Sequence, residues 1–173
     1  MKKAADKPAF TPRKYTPQIV LEELKRLATK ATLDGMARYS IPSEKALGVK
    51  VSDMQKLAKK IGPNHELAIA LWKTDCYEAR MMAAYLDEPE RVTPTQMDQW
   101  CNDFDNWAIV DTVCFCLFDR TKHALNKIKQ WSRLKGEFQK RAAFALLWSY
   151  SLHDKKQEDG VFLECLPLLE RAA

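Results

Sequence analysis

Glycine is scarce, with five in 173 residues, and strictly alternating apolar and polar runs are scarcer. Strands need that alternation and the turns glycine supplies, so both scarcities favour helices. No stretch reaches about 18 consecutive apolar residues, so no membrane span is expected. The chain begins MKKAADKPAF, and no hydrophobic run follows its lysine pair, which argues against a secretory signal. Only three histidines occur, His65, His123 and His153, and they are scattered. The five cysteines are odd in number and lack a disulfide framework, which points to a reducing compartment and the cytoplasm. Cys114 and Cys116 form a C-x-C pair inside an apolar stretch with no histidine nearby, so zinc-ligand spacing is absent and both read as packing. No metal site is expected.

What is present is a globular composition. Hydrophobic residues make up 46%, with five Trp, seven Phe and five Tyr, enough for a core and against disorder. Lys and Arg total 28 against 23 acidic residues, a net charge of +5. That balance permits a nucleic-acid partner without requiring one, because clustering matters more than the total. The first fifteen residues read as a loose basic tail, and residues 16–173 as one domain.

Helix starts are legible. Thr16-Pro17 places a capping hydroxyl before a first-turn proline, with IVLEELKRLATKA following. Ser52 with Gln55, Asp75 with Glu78, and Thr93 with Gln96 have capping-box spacing. Gly62-Pro63, Glu88-Pro89 and Asp154-Lys155 mark breaks. About ten helices result, most of 9 to 15 residues, joined by short turns as antiparallel pairs. A faint repeat overlies them. Trp72, Trp100 and Trp131 each close a helix, at intervals of 28 and 31 residues, and a second helix follows each within about six residues: YEARMMAA, NWAIVDTV and EFQKRAAFA. The three tryptophans read as core wedges. Stacked in register, the second helices bring Arg80, Asp111 and Arg141 toward one concave surface.

The segment from Asp103 to Asp111 opens the helix of greatest interest, with Asp105 as its expected cap. Trp107 and Asp111 are spaced i, i+4 and share a face. Asp111 sits among apolar residues, where an unpaired carboxylate is costly. It therefore either pairs with a neighbouring helix, through Arg80, Arg120 or Arg141, or faces a groove. Phe138, Arg141, Ala145 and Trp148 fall on one stripe of the last long helix. An arginine there either holds a phosphate with its planar fork or makes an ordinary interhelix pair. Lys140, Arg120, Lys122 and Arg38 add positive charge near the same part of the repeat. An indole face beside a carboxylate suits developing positive charge, such as the oxocarbenium-like state of glycosidic hydrolysis. A purine alkylated at N3 or N7 is already cationic, so one carboxylate suffices without a general acid.

The segments RYSI from Arg38 to Ile41, ALGVKVSDMQKLAKKIG, HELAIALWKTDCYEAR, DFDNWAIVDTVC and KRAAFALL together resemble the AlkD-like DNA alkylation repair family, from about Thr16 to the C-terminus. The resemblance implies an all-α superhelical stack of HEAT-like antiparallel pairs, acting as a monomer. It implies excision of N3- and N7-alkylated purines from double-stranded DNA in a concave basic groove, without cofactor or metal, by contacting the deoxyribose rather than capturing a flipped base. By motif, Trp107 matches the family's sugar-contacting tryptophan, Asp111 its catalytic aspartate and Arg141 its phosphate-side arginine. Arg80, Lys140 and Arg38 join as DNA-binding candidates, Arg80 from the internal repeat alone. Relatives continue with a further helical pair carrying another aromatic and arginine, which this chain, ending LLERAA, is expected to lack. The alternative reading is a non-catalytic helical-repeat scaffold that binds DNA or protein.

Overall fold

The computed structural model describes residues 15–36, 41, 43–153 and 159–171. Arg38 with most of RYSI, most of the basic tail and the Asp154-Lys155 break lie outside the described residues. Among those described, every regular element is helical. In order they are α1 (Pro17–Leu27), α2 (Lys30–Met36), a 3₁₀ turn (Ser43–Lys45), α3 (Val51–Ile61), α4 (His65–Trp72), α5 (Tyr77–Leu86), α6 (Pro94–Asn102), α7 (Trp107–Cys116), a 3₁₀ turn (Phe118–Arg120), α8 (Ala124–Trp131), α9 (Glu137–His153), α10 (Asp159–Leu163) and α11 (Leu166–Glu170).

Two predicted caps form. Thr16 accepts from the Ile19 N–H and Thr93 from the Gln96 N–H, each with proline in the first turn. Three do not. Ser52 lies inside α3, whose cap position is Lys50, with no side-chain bond. Asp75 adopts a left-handed φ of 55° and the α5 cap passes to Cys76. Glu78 is fully buried and accepts instead from the backbone N–H groups of Leu47, Gly48 and Val49 at 2.7–3.1 Å. Three backbone donors on one buried carboxylate outweigh a local cap. Asp105 yields its expected role to Asn106, which accepts from the Ile109 N–H at 3.0 Å.

The first long helix is also shorter than its sequence suggests. Ala28 turns extended, and Thr29 restarts the chain by capping Thr32 and donating its N–H to the Gly48 carbonyl. Gly48 has φ +92°, and a Cβ there would sit 2.6 Å from the Thr29 carbonyl oxygen. Only glycine allows this approach of the 47–49 loop to α2.

The repeat is realised in three dimensions. Trp72, Trp100 and Trp131 are buried at or near the ends of α4, α6 and α8. Trp72 and Trp100 stack in parallel with ring centres 3.9 Å apart, and Phe118 lies 6.0 Å from both Trp100 and Trp131. The indole N–H groups of Trp72 and Trp131 donate to Asp103 and Asp98. The second helices α5, α7 and α9 pack side by side. The expected order of pairs therefore becomes an inner layer, and α5, flanked by α3, α4 and α7, is buried along most of its length.

Candidate active site

The inner layer carries two facing i, i+4 pairs. Trp107 and Asp111 stand one turn apart on α7, Glu137 and Arg141 one turn apart on α9. Across the gap, Arg141 gives Asp111 two hydrogen bonds, Nε to Oδ1 at 3.0 Å and an Nη to Oδ2 at 2.6 Å. Trp107 donates its indole N–H to Glu137 Oε1 at 3.1 Å. On the diagonal, the Arg141 guanidinium carbon lies 4.2 Å from the Trp107 ring centre. Two donors, Trp107 and Arg141, thus alternate with two carboxylates, Asp111 and Glu137, around a square. The assembly is open to solvent: Trp107 is 54% exposed, and the Asp111 and Arg141 side chains 39% and 33%.

This square forms one wall of a groove of about 970 Å³. Thr32 and Met36 of α2, Val51 of α3 and Tyr77 of α5 stand among its other lining residues. The described lining is mostly apolar, and its charged residues are Asp105, Asp111 and Glu137 against Lys50 and Arg141. Among the described lining residues, carboxylates therefore outnumber cations, and Arg38 lies outside them. Burial and the neighbouring Glu78 carboxylate push the Tyr77 phenol well above its ordinary range, so it stays neutral.

Arg80 stands apart from the square. Its side chain is only 9% exposed and it lies over Trp72 at 5.1 Å. It donates to Asp75 at 2.8 Å and to the Asp103 carbonyl at 3.2 Å, with Asp105 at 3.7 Å. Lys45 reaches Asp75 at 2.9 Å and Asp105 at 3.4 Å. The hydrogen bond to Asp75, then the charges of both aspartates, raise the lysine's pKa. Lys45 and Arg80 thus fix the Asp103–Asn106 turn that aims Trp107, and Arg80 is not presented to the groove. Lys140 is half-buried and does not line the groove.

Sequence reading missed Glu137, Lys45 and Asn106. Glu137 had a usable signal, one turn before Arg141 on the same stripe as Phe138. Lys45 had none, because its partners arrive from residues 75 and 105. Among the described residues no group of His, Cys, Asp and Glu is arranged to hold a metal, and no helix is long and apolar enough to cross a membrane. Cys114 is buried against the Ala142 carbonyl, and all five cysteines are unpaired.

No curated protein matches the chain in sequence. A solved structure is similar over 91% of this chain and 66% of its own, with a TM-score of 0.78 and 22% identity. It is described as one of a new family of proteins related to the HEAT-like repeat DNA glycosylases, with affinity for branched DNA structures. At that identity the likeness shows the fold, an all-helical HEAT-like stack, and this chain spans about two thirds of that protein's length. The family described as DNA alkylation repair enzyme matches residues 20–170. The chain therefore belongs to the DNA alkylation repair enzyme family.

Proposed function

We propose that the protein is a DNA glycosylase that hydrolyses the N-glycosidic bond of N3- or N7-alkylated purines in double-stranded DNA, as a cytoplasmic monomer needing no metal or cofactor. The observation that carries this reading is the exposed Asp111 carboxylate beside the Trp107 face, opening on a groove whose described residues include more carboxylates than cations. Such a place favours positive charge. The alkylated base is already cationic. When the C1′–N9 bond breaks, its electron pair neutralises the base, which leaves, and the positive charge passes to the sugar. Trp107 packs against that sugar and Asp111 stabilises it. Water held by Asp111 then adds at C1′ and releases a proton to the carboxylate and solvent. Arg141 holds the backbone phosphate, with Lys140 and Arg38 as further contacts.

Asp111→Asn keeps the shape and removes the charge. Release of 7-methylpurine from duplex DNA is expected to fall by about a hundredfold or more, while duplex affinity changes little. Equal release from the two proteins would overturn the reading. The second reading, a non-catalytic scaffold, is favoured by the affinity for branched DNA of the similar structure. Tight binding to a four-way junction with no release from any alkylated duplex would establish it.

A further inference from the structure

In the protein without DNA, the place a sugar cation would take is filled. The Arg141 guanidinium lies over the Trp107 ring at 4.2 Å and forks onto both Asp111 oxygens. A flat, delocalised cation stacked on an indole and paired with a carboxylate uses the same two interactions that a flattened, positively charged sugar ring would use. We propose that Arg141 is an internal stand-in for the cationic substrate, seated in the cation site of the free protein and drawn off by a DNA phosphate. The site then opens only against a bound backbone. This rests on the reading of Asp111 and Trp107 as a cation site.

Three features support the exchange. The Arg141 side chain is one-third exposed, and its Asp111 contacts use Nε and one terminal nitrogen. The other terminal nitrogen has no hydrogen bond among the described residues. A phosphate can therefore take that nitrogen first and then compete for the fork, since carboxylate and phosphate both match its geometry. Glu137 holds the indole N–H from the opposite corner, so the ring keeps a partner when the guanidinium leaves. Withdrawal of Arg141 leaves Lys50 as the remaining cation among the described lining residues, against three carboxylates, which strengthens the attraction for an incoming cation. Arg80, by contrast, has both terminal nitrogens engaged and its side chain only 9% exposed, so no phosphate can reach it.

The test uses pyrrolidinium, a five-membered ring cation without phosphate or base, titrated by calorimetry into the whole protein. Arg141→Gln is expected to bind it about tenfold tighter than the native protein, ~1.4 kcal/mol, and adding Asp111→Asn is expected to abolish the gain. Equal affinity in the native protein and Arg141→Gln overturns the proposal. Should Arg141→Gln fail to fold, the Arg141 Nε–H resonance of the native protein decides. It is expected to move away from its Asp111-bonded position as unmodified duplex is added, and a resonance unmoved at saturation overturns the proposal. Release of 7-methylpurine, measured alongside, separates the two readings. Release without the pyrrolidinium gain sinks the stand-in alone. The gain without release supports the gated site and sinks the glycosylase.

Discussion

Arg80 and Arg141 occupy matching places in the repeat, and each lies over a tryptophan while bonding an aspartate. Arg80 lies over Trp72 and bonds Asp75. Arg141 lies over Trp107 and bonds Asp111. The chemistry of the two clusters is nearly the same, and their surroundings are not. Trp72 is 3% exposed and stacked on Trp100, whereas Trp107 is at the groove wall. One cluster fixes a turn inside the stack, while the other meets solvent at a point where a ligand can compete. Burial, rather than residue type, separates a structural cluster from an available one.

The largest effect that can break this comparison is at the tryptophans. Trp72→Ala is expected to cost about 3–5 kcal/mol of stability, because it removes a buried ring stacked on Trp100. Trp107→Ala is expected to cost under about 1 kcal/mol and to remove purine release. Chemical denaturation of both variants checks this, and equal losses would erase the distinction.

The arginines come next. Arg80→Ala is expected to lose roughly 3 kcal/mol, since it empties the buried space over Trp72 and removes the bond to the Asp103 carbonyl. Arg141→Ala is expected to change stability by about 1 kcal/mol or less, as for exposed pairs, while weakening duplex binding. Paired melting and binding curves would sharpen or collapse the contrast.

Glu137→Gln preserves the shape and weakens the hold on the Trp107 indole. It is expected to slow release by a few fold, about 1 kcal/mol, with stability unchanged. Single-turnover rates at saturating enzyme report it, and an unchanged rate would remove Glu137 from the positioning of the ring.

The smallest effect concerns the thiols. Burial raises the Cys76, Cys101, Cys114 and Cys116 thiols above their ordinary range, Cys101 to about 12. Native protein at neutral pH is therefore expected to react slowly with a thiol reagent and to release its full count only on unfolding. Rapid labelling of Cys101 on α6 or Cys114 on α7 would show that the helical stack opens.

The repeat of tryptophans, the caps at Thr16 and Thr93 and the i, i+4 pair on α7 were legible because each is local and periodic. The burial of Arg80 was not, because register places a residue along a helix but does not say that α3, α4 and α7 will enclose it. The capping-box pattern failed at Glu78 for a related reason. Its carboxylate met three backbone donors from residues 47–49, some thirty positions away. The partner of Asp111 was narrowed to three arginines by charge and chosen by packing.

The ladder from Trp72 through Trp100 and Phe118 to Trp131 has an optical consequence. Two indoles in parallel contact couple electronically, so the near-ultraviolet dichroism of the folded protein should carry an exciton band that vanishes when α4 and α6 separate. Energy absorbed in the buried rings has a short path between them, while Trp107 and Trp148 emit from the solvent side. The same stacking that holds the helical pairs together thus divides the protein's fluorescence into an interior signal that reports folding and a surface signal that reports what enters the groove.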